Sequence, residues 1–502
     1  MTPLAAPAPG SNEIFPKPSV PARTLWIDVE DLFEYTARNP RPSGIQRLAF
    51  ELYREMQDRL GADGRVRFVR QDPVRRSFAT VSWQSVANLF ARLADEAGPR
   101  RSDGRGTTFY PGQRESALRR RARMLVHRLP LPLRHRLLDT ARLQISAIAA
   151  FTSLFAFVGR EVSQQMWRLL RPKAPDSQSP TDTRALSDAF IRSVQSGDVL
   201  LALGAPWSNP DYAGLIEATR ARFGIEFGFL IYDIIPLRRP EWCAQGLVRL
   251  FQAWFTSVLP LADHIFSISQ HSASDLVAFA AQSGIPLRNS VQVIPIGAGF
   301  GPHQPCPTRT GGDLPTPGSY VLYVSTIEAR KNHMLLFRIW RRMLDEMPAA
   351  EVPVLIFAGR VGWLVADLMQ QLENTHYLDG KIVVFSDLSD AELGELYRGC
   401  LFTVFPSLYE GWGLPVTESL AFGKPCLASN RTSIPEAGGR FCRYFDPDNL
   451  AEAYQKILEA IEDRAGLAAW QNEIRQDYRP TPWQAGADSI LIELGMAPKK
   501  AD

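Results

Sequence analysis

The sequence predicts an α/β fold: two doubly wound domains facing a cleft, the first carrying a basic, helical insertion. Three observations carry this. A chain of 502 residues exceeds one compact core, so two or more domains are expected. Short apolar strand-like runs alternate with amphipathic helices in both halves. A Pro/Gly-rich stretch, "HQPCPTRTGGDLPTPG" at 303–318, separates the two series and reads as a linker. Hydrophobic content of 45%, charged content of 22% and a net charge of +3 are those of a globular protein and exclude a whole-chain nucleic-acid binder. The five cysteines are scattered and form no CxxC pair, which argues against a disulfide framework and a zinc site and fits a reducing, cytoplasmic setting.

Residues 1–22 are rich in Pro and small residues and lack an apolar core, so a mobile tail is expected there rather than a secretory signal. The first domain is expected over 23–302. "TLWIDVED" (24–31) reads as a buried strand ending in acids. "SGIQRLAFELYREM" (43–56) reads as a helix with Ile45, Leu48, Ala49, Leu52 and Tyr53 on one face and Ser43 as N-cap. "RVRFVRQD" (65–72) is the next strand, and this alternation predicts a parallel sheet. The pattern stops near Gly98 and resumes at "GDVLLALGAPW" (197–207), followed by "FGFLIYDIIP" (227–236), "ADHIFSIS" (262–269) and "SVQVIPIGAG" (290–299). Between them, 98–182 reads as an insertion. It is crowded with arginines over 114–142 and carries an uncharged run at 143–159. That segment suits either an anionic inner-membrane surface, touched through 114–172, or a helical hairpin with a solvated basic face.

The second domain, expected over 319–480, has strands at "YVLYVST" (320–326), "VPVLIFAG" (352–359), "KIVVFSD" (381–387), "FTVFPS" (402–407) and "KPCLAS" (424–429). Residues 481–502 are expected to form a helix that packs back on the first domain, then a tail. Ligands of doubly wound sheets bind at the carboxyl ends of strands. Arg330 and Lys331 follow the first of these strands and open a helix, a place that favours an anion such as a diphosphate. "LYEGWGLP" follows the fourth: Gly411 and Gly413 permit close approach to a ligand, and Pro415 suits a helix start. Glu418 is expected in the first turn of that helix, where its carboxylate suits ribose hydroxyls, and Glu410 is expected within reach of a transferred group.

Residues 320–450 resemble the donor half of GT-B retaining glycosyltransferases, family 4. Glu410 and Glu418 match that family's E-x7-E motif, and Arg330 and Lys331 in "TIEARKN" match its Arg-Lys pair. "LIFAGRVGW", "SDLSDAELGELY", "TSIPEAGG" and "YFDPDNLAEA" match its remaining sections. The first half is similar to acceptor halves of bacterial enzymes that build O-antigen, capsule or exopolysaccharide, mannosyl and rhamnosyl transferases among them. The matching stretches are "LWIDVEDL", "SGIQRLAFEL", "YDIIPLRRPEWC" and "ADHIFSISQHSASDL". The resemblance implies two Rossmann-like domains and a hexosyl transfer from a nucleotide-diphosphate sugar (GDP, UDP or dTDP left open) to a saccharide or polyprenyl-linked oligosaccharide. It implies Glu410, Arg330 and Lys331 at the reacting centre, with Asp233 either a cleft residue there or a strand-end acid that caps the following loop, and Glu418, Gly411, Trp412, Gly413, Leu414, Gly359 and Ser386 around the nucleotide. Many relatives have His where Tyr232 stands, a departure that leaves Tyr232 without a carried-over role.

No cofactor and no essential divalent ion are expected: the one formal DxD, "DPD" at 446–448, is explained by turn and N-cap chemistry. Retention, implied by the resemblance, is expected by front-face departure and attack. Ser43, Gly44 and Arg47 read as an acceptor-side loop or as an ordinary helix cap. His271 reads as an active-site acid or base, or as a surface residue at a helix start. A nucleotide-sugar-binding scaffold without turnover, or an epimerase of the same fold, remain the alternatives.

Overall fold

The computed structural model describes residues 23–95, 180–298 and 314–496, apart from positions 38, 40 and 387. The expected tail at 1–22, nearly all of the 98–182 insertion and most of the 303–318 linker lie outside the described residues.

The first lobe is built on a sheet of seven strands: β1 (Leu25–Asp28), β2 (Val66–Asp72), β3 (Ser77–Val81), β4 (Val199–Ala202), β5 (Glu226–Ile231), β6 (His264–Ser267) and β7 (Val291–Val293), in the order β3-β2-β1-β4-β5-β6-β7. The second lobe has six: β8 (Tyr320–Val324), β9 (Val354–Ala358), β10 (Ile382–Phe385), β11 (Thr403–Phe405), β12 (Cys426–Ser429) and β13 (Arg443–Phe445), in the order β10-β9-β8-β11-β12-β13. Counted from its own first strand, the second sheet runs 3-2-1-4-5-6, the doubly wound order of dinucleotide-binding folds. All its pairings are parallel. Strands such as "VLLA" and "IVVF" are buried along their whole length, which is why they read as continuous apolar runs.

Two expectations are corrected. The first strand stops at Asp28, and Glu30–Thr36 is a helix with Glu30 and Asp31 in its first turn, where acids stabilise the free N–H groups. The first sheet is not wholly parallel: β3, unforeseen in the sequence, returns antiparallel to β2 after the turn containing Pro73 and Arg76 and forms the edge. The helix expected over 43–56 runs Gly44–Leu60 and buries Leu48, Ala49, Leu52, Tyr53, Met56 and Leu60. Ser43 occupies the N-cap position, but its hydroxyl bonds the Gln46 side chain instead of a free backbone N–H.

After the second lobe the chain returns to the first. The Thr481 carbonyl accepts from Ala298 N at 3.0 Å, and helix Trp483–Glu493 lies along Gly44–Leu60. Ala487, Ile490 and Leu491 enter the first lobe's core. Arg59 Nε meets Asp488 Oδ1 at 2.5 Å. The second lobe is therefore tied to the first at its C-terminal end, with their strand termini facing each other.

Candidate active site

β8 and β11 are adjacent strands whose connections leave on opposite sides of the sheet. Crevices form at such a switch point because the two following loops splay apart. Here the loop after β8 passes through a 3-10 turn, Ala329–Lys331, and ends on Asn332 at a left-handed φ of 59°. The Asn332 amide donates to the carbonyls of Pro406 (3.3 Å) and Pro447 (3.0 Å), and Leu408 N donates to Arg330 O (2.9 Å), so the two loops are held together.

Their side chains form one ionic cluster. Lys331 Nζ lies 2.5 Å from Glu410 Oε1, and an Arg330 guanidinium nitrogen 2.9 Å from Glu410 Oε2. Arg330 also reaches Glu328 Oε1 at 2.6 Å and the Tyr409 carbonyl. Glu328 and Glu410 are buried. Burial works against the charged form of Glu410, but Arg330 and Lys331 outweigh it and hold the carboxyl at about 2. Burial, then repulsion from Arg330, pushes the Lys331 ammonium below its ordinary value. The Glu410 backbone is fixed as well: its N–H donates to Thr432 Oγ1 (3.0 Å) and its carbonyl accepts from Ser433 Oγ (2.8 Å).

Asp233 enters from the other lobe, just after β5. Its carboxylate accepts from Ile235 N at 3.0 Å, capping the next turn. Burial raises its pKa, Arg330 and Lys331 lower it, and Glu410 raises it, so Asp233 shares the field of the donor-side cluster. The contact that permits this is glycine's: a Cβ on Gly411 would stand 2.2 Å from the Tyr232 carbonyl and 3.0 Å from Asp233 Cβ. Ser272 Oγ donates to that same Tyr232 carbonyl at 3.0 Å. The Tyr232 phenol turns away from the cleft and donates to Leu203 O at 2.6 Å, deep in the first lobe.

Glu418 is the fifth residue of helix Leu414–Ala421, not in its first turn as expected, because the helix begins immediately after Gly413. Gly413 takes φ 135° at the N-cap. Glu418 Oε2 accepts from Tyr397 OH at 2.9 Å. Burial raises its pKa, and Arg47 of the first lobe opposes that rise. Arg47 also pairs with Asp390 across the cleft, and Gly44 lies beside the Leu414 side chain. The structure thus brings Arg330, Lys331, Glu410 and Asp233 into one cluster, with Glu418 apart from it on the Arg47–Tyr397 side. Gly359, at the end of β9, has φ 159°, and a Cβ there would sit 2.0 Å from Ser325 O. Ser386 follows β10, whose Phe385 carbonyl accepts from Gly359 N at 2.8 Å. Trp412 and Leu414 pack against the first lobe's hydrophobic cluster.

His271 belongs to the interface between lobes. Its Nε2 lies 3.0 Å from Tyr409 OH, whose hydroxyl also donates to Asp275. Glu436 of the second lobe accepts from Gln270 N (2.7 Å) and His271 N (2.9 Å), so one lobe caps a helix of the other. Sequence reasoning missed Glu328, Tyr397, Asp275 and Glu436. Glu328, two residues before Arg330, was the one within reach of a local argument. Among the described residues no group of three or more His, Cys, Asp or Glu is arranged for a metal ion, and no helix is long and apolar enough to cross a membrane.

Two Rossmann-like lobes with their strand ends facing across one cleft define the GT-B class of architecture. Residues 309–477 match the model of the family described as "Glycosyl transferases group 1". The chain is 28% identical over 305 residues to the serotype-specific mannosyltransferase WbdA of Escherichia coli, covering 57% of this chain and 35% of that protein. It is 29% identical over 236 residues to the O-antigen chain mannosyltransferase B of Escherichia coli, covering 46% of this chain and 60% of that one. The chain thus spans about a third of the length of WbdA. Among solved structures, the Anabaena protein HepE in complex with UDP and glucose is 17% identical, with a TM-score of 0.45 over 59% of this chain and 77% of that one.

Proposed function

We propose that the chain is a metal-independent, retaining glycosyltransferase. It moves a sugar from a nucleotide-diphosphate sugar to a saccharide or polyprenyl-linked oligosaccharide in bacterial surface-polysaccharide synthesis. The observation that carries this reading is the Arg330–Lys331–Glu410 cluster at the switch point of the second sheet, faced by Asp233. The names of the relatives support mannose as the first sugar to test.

In this reading Arg330 and Lys331 stabilise the charge that develops on the departing diphosphate. Glu410, ionised throughout the neutral range, orients hydroxyls of the donor sugar. Glu418 accepts from the ribose hydroxyls, and the loop backbones at Gly359, Ser386, Gly411, Trp412, Gly413 and Leu414 line the nucleotide. The bond from the anomeric carbon to the diphosphate oxygen breaks, and the acceptor oxygen bonds that carbon on the same face. The acceptor proton leaves on the departing phosphate oxygen, so no enzyme nucleophile is needed. Asp233 sits on the acceptor lobe and holds the incoming hydroxyl. The basic stretch within 114–172 supports work at the cytoplasmic face of the inner membrane.

Thermal unfolding with GDP, UDP and dTDP tests the donor side, since a ligand that binds only the folded state raises its stability. Transfer from the matching sugar nucleotide to a saccharide is the expected result. Stabilisation without transfer or donor hydrolysis would favour a binding scaffold, and donor conversion without an acceptor would favour an epimerase.

A further inference from the structure

We propose that Trp363 and Trp242 form a stacking subsite for a pyranose ring of the acceptor saccharide, built from both lobes at the mouth of the cleft. The proposal rests on the glycosyl-transfer reading and names a site for its second substrate.

Trp363 is 49% exposed, and its neighbours Val361 and Leu364 are 48% and 61% exposed. The segment is held firmly. Ile327 N donates to Arg360 O at 2.9 Å and Gly362 N to Ile327 O at 2.8 Å, pairing it with the residue before Glu328. A Cβ on Gly362 would lie 3.5 Å from Glu328 Cβ. Leu364 takes a left-handed φ of 58°, a conformation that a branched side chain adopts at a cost. Trp363 therefore projects outward from a fixed, strained turn.

The other lobe meets it there. Trp363 Nε1 donates to the Trp242 carbonyl at 2.8 Å, which orients the indole without covering its faces. The Trp242 ring lies 6.4 Å from the Tyr409 ring, and Arg239 covers one face of Trp242 at 4.0 Å. Cys243, the next residue, feels Asp233, Arg330 and Glu328, so this loop borders the reacting centre. A pyranose presents an apolar C–H face and a rim of hydroxyls. A half-exposed indole, a guanidinium and a phenol next to the transfer site match both parts.

The test uses the full chain saturated with whichever of GDP, UDP or dTDP stabilises it, and follows binding of α-linked mannobiose, rhamnobiose and glucobiose by saturation-transfer NMR and titration. At least one disaccharide is expected to bind, with Trp363→Ala weakening it about tenfold and Trp363→Phe, which keeps a ring but loses the N–H, staying within about twofold. Equal loss in both variants, or no effect in either, overturns the stacking subsite, as does failure of all three disaccharides to bind. Loss of binding to phosphatidylglycerol vesicles in Trp363→Ala, with disaccharide affinity unchanged, assigns the ring to a membrane and overturns it too. Absence of stabilisation by every nucleotide overturns the glycosyl-transfer reading itself and the subsite with it. Stabilisation by a nucleotide in both variants is the control that each is folded.

Discussion

Lys331 Nζ and Glu410 Oε1 lie 2.5 Å apart although 79 residues separate them in the chain. They meet because β8 and β11 are neighbours in the sheet and each residue sits in the loop that leaves its strand's carboxyl end. Two cations that are largely covered, with the buried carboxylates of Glu410 and Glu328, make a field that surface screening reaches only weakly.

Glu410→Gln keeps the shape and removes the charge. Transfer is expected to fall by about 10²–10³-fold. The variant also leaves Arg330 and Lys331 without their shared carboxylate, so denaturant unfolding should show a loss of about 3 kcal/mol. Normal turnover in the variant would remove Glu410 from the reaction.

That stability difference depends on pH with a defined sign. The Glu410 carboxyl is depressed from 4.5 to about 2. Its contribution is present above about pH 4.5 and lost as pH falls through about 2. The gap between the parent and Glu410→Gln should therefore close on acidification across that window, measured as unfolding free energy. A gap that stays constant there would mean the carboxylate is not held by its cations.

Asp28 behaves oppositely. Burial raises its pKa from 3.8 to about 7, against hydrogen bonds donated by Glu30 N, Gln71 Nε2 and Tyr212 OH. Its contribution is full below about 3.8 and is lost as pH rises through about 7. Between about pH 4 and pH 8 the parent should lose on the order of 3 kcal/mol that Asp28→Asn does not lose. Parallel stability curves for the two chains would show that Asp28 ionises at its ordinary value.

Gly411→Ala places a Cβ 2.2 Å from the Tyr232 carbonyl, so the Glu410 loop must withdraw from the acceptor lobe. A displacement near 1 Å in a reacting group costs about a hundredfold in rate. The expected result is that loss in kcat/KM together with a weaker nucleotide affinity, because the loop that withdraws also lines the nucleotide, read by steady-state kinetics and calorimetry. Unimpaired kcat/KM would show that the close approach is not needed for turnover.

Arg330→Ala removes a guanidinium that contacts Glu410, Glu328 and the Tyr409 carbonyl. Nucleoside-diphosphate affinity should drop about tenfold or more by calorimetry. Arg330→Lys is expected to recover little of it, because an ammonium cannot reproduce the planar fork. Unchanged affinity in Arg330→Ala would separate this side chain from the diphosphate.

Much was legible because it is local. Continuous apolar runs mark strands buried on both faces, such as β4 and β10, and each loop's glycines and charges sit immediately after a strand. Arg330, Lys331, Glu410 and Glu418 were readable for that reason. The differences are local as well: the apolar run of the first strand continues past Asp28 to the helix at Glu30 without a break in the sequence, and a helix that starts directly after Gly413 makes Glu418 its fifth residue, just beyond the first turn. β3 escaped because a short edge strand reached by a tight turn leaves a weak alternation signal.

By itself the sequence determined two α/β units, the loops that carry charge and the residue types available for chemistry, since periodicity and turn preferences act over a few residues. Only the tertiary structure decided which loops share a crevice, because strand order places β8 beside β11. It alone decided that Gly411 touches Tyr232, that Glu436 caps a helix of the other lobe and that Trp363 meets Trp242. Such contacts join residues far apart in the chain, and their physical cause is the packing of one lobe on the other, which leaves no local pattern to read.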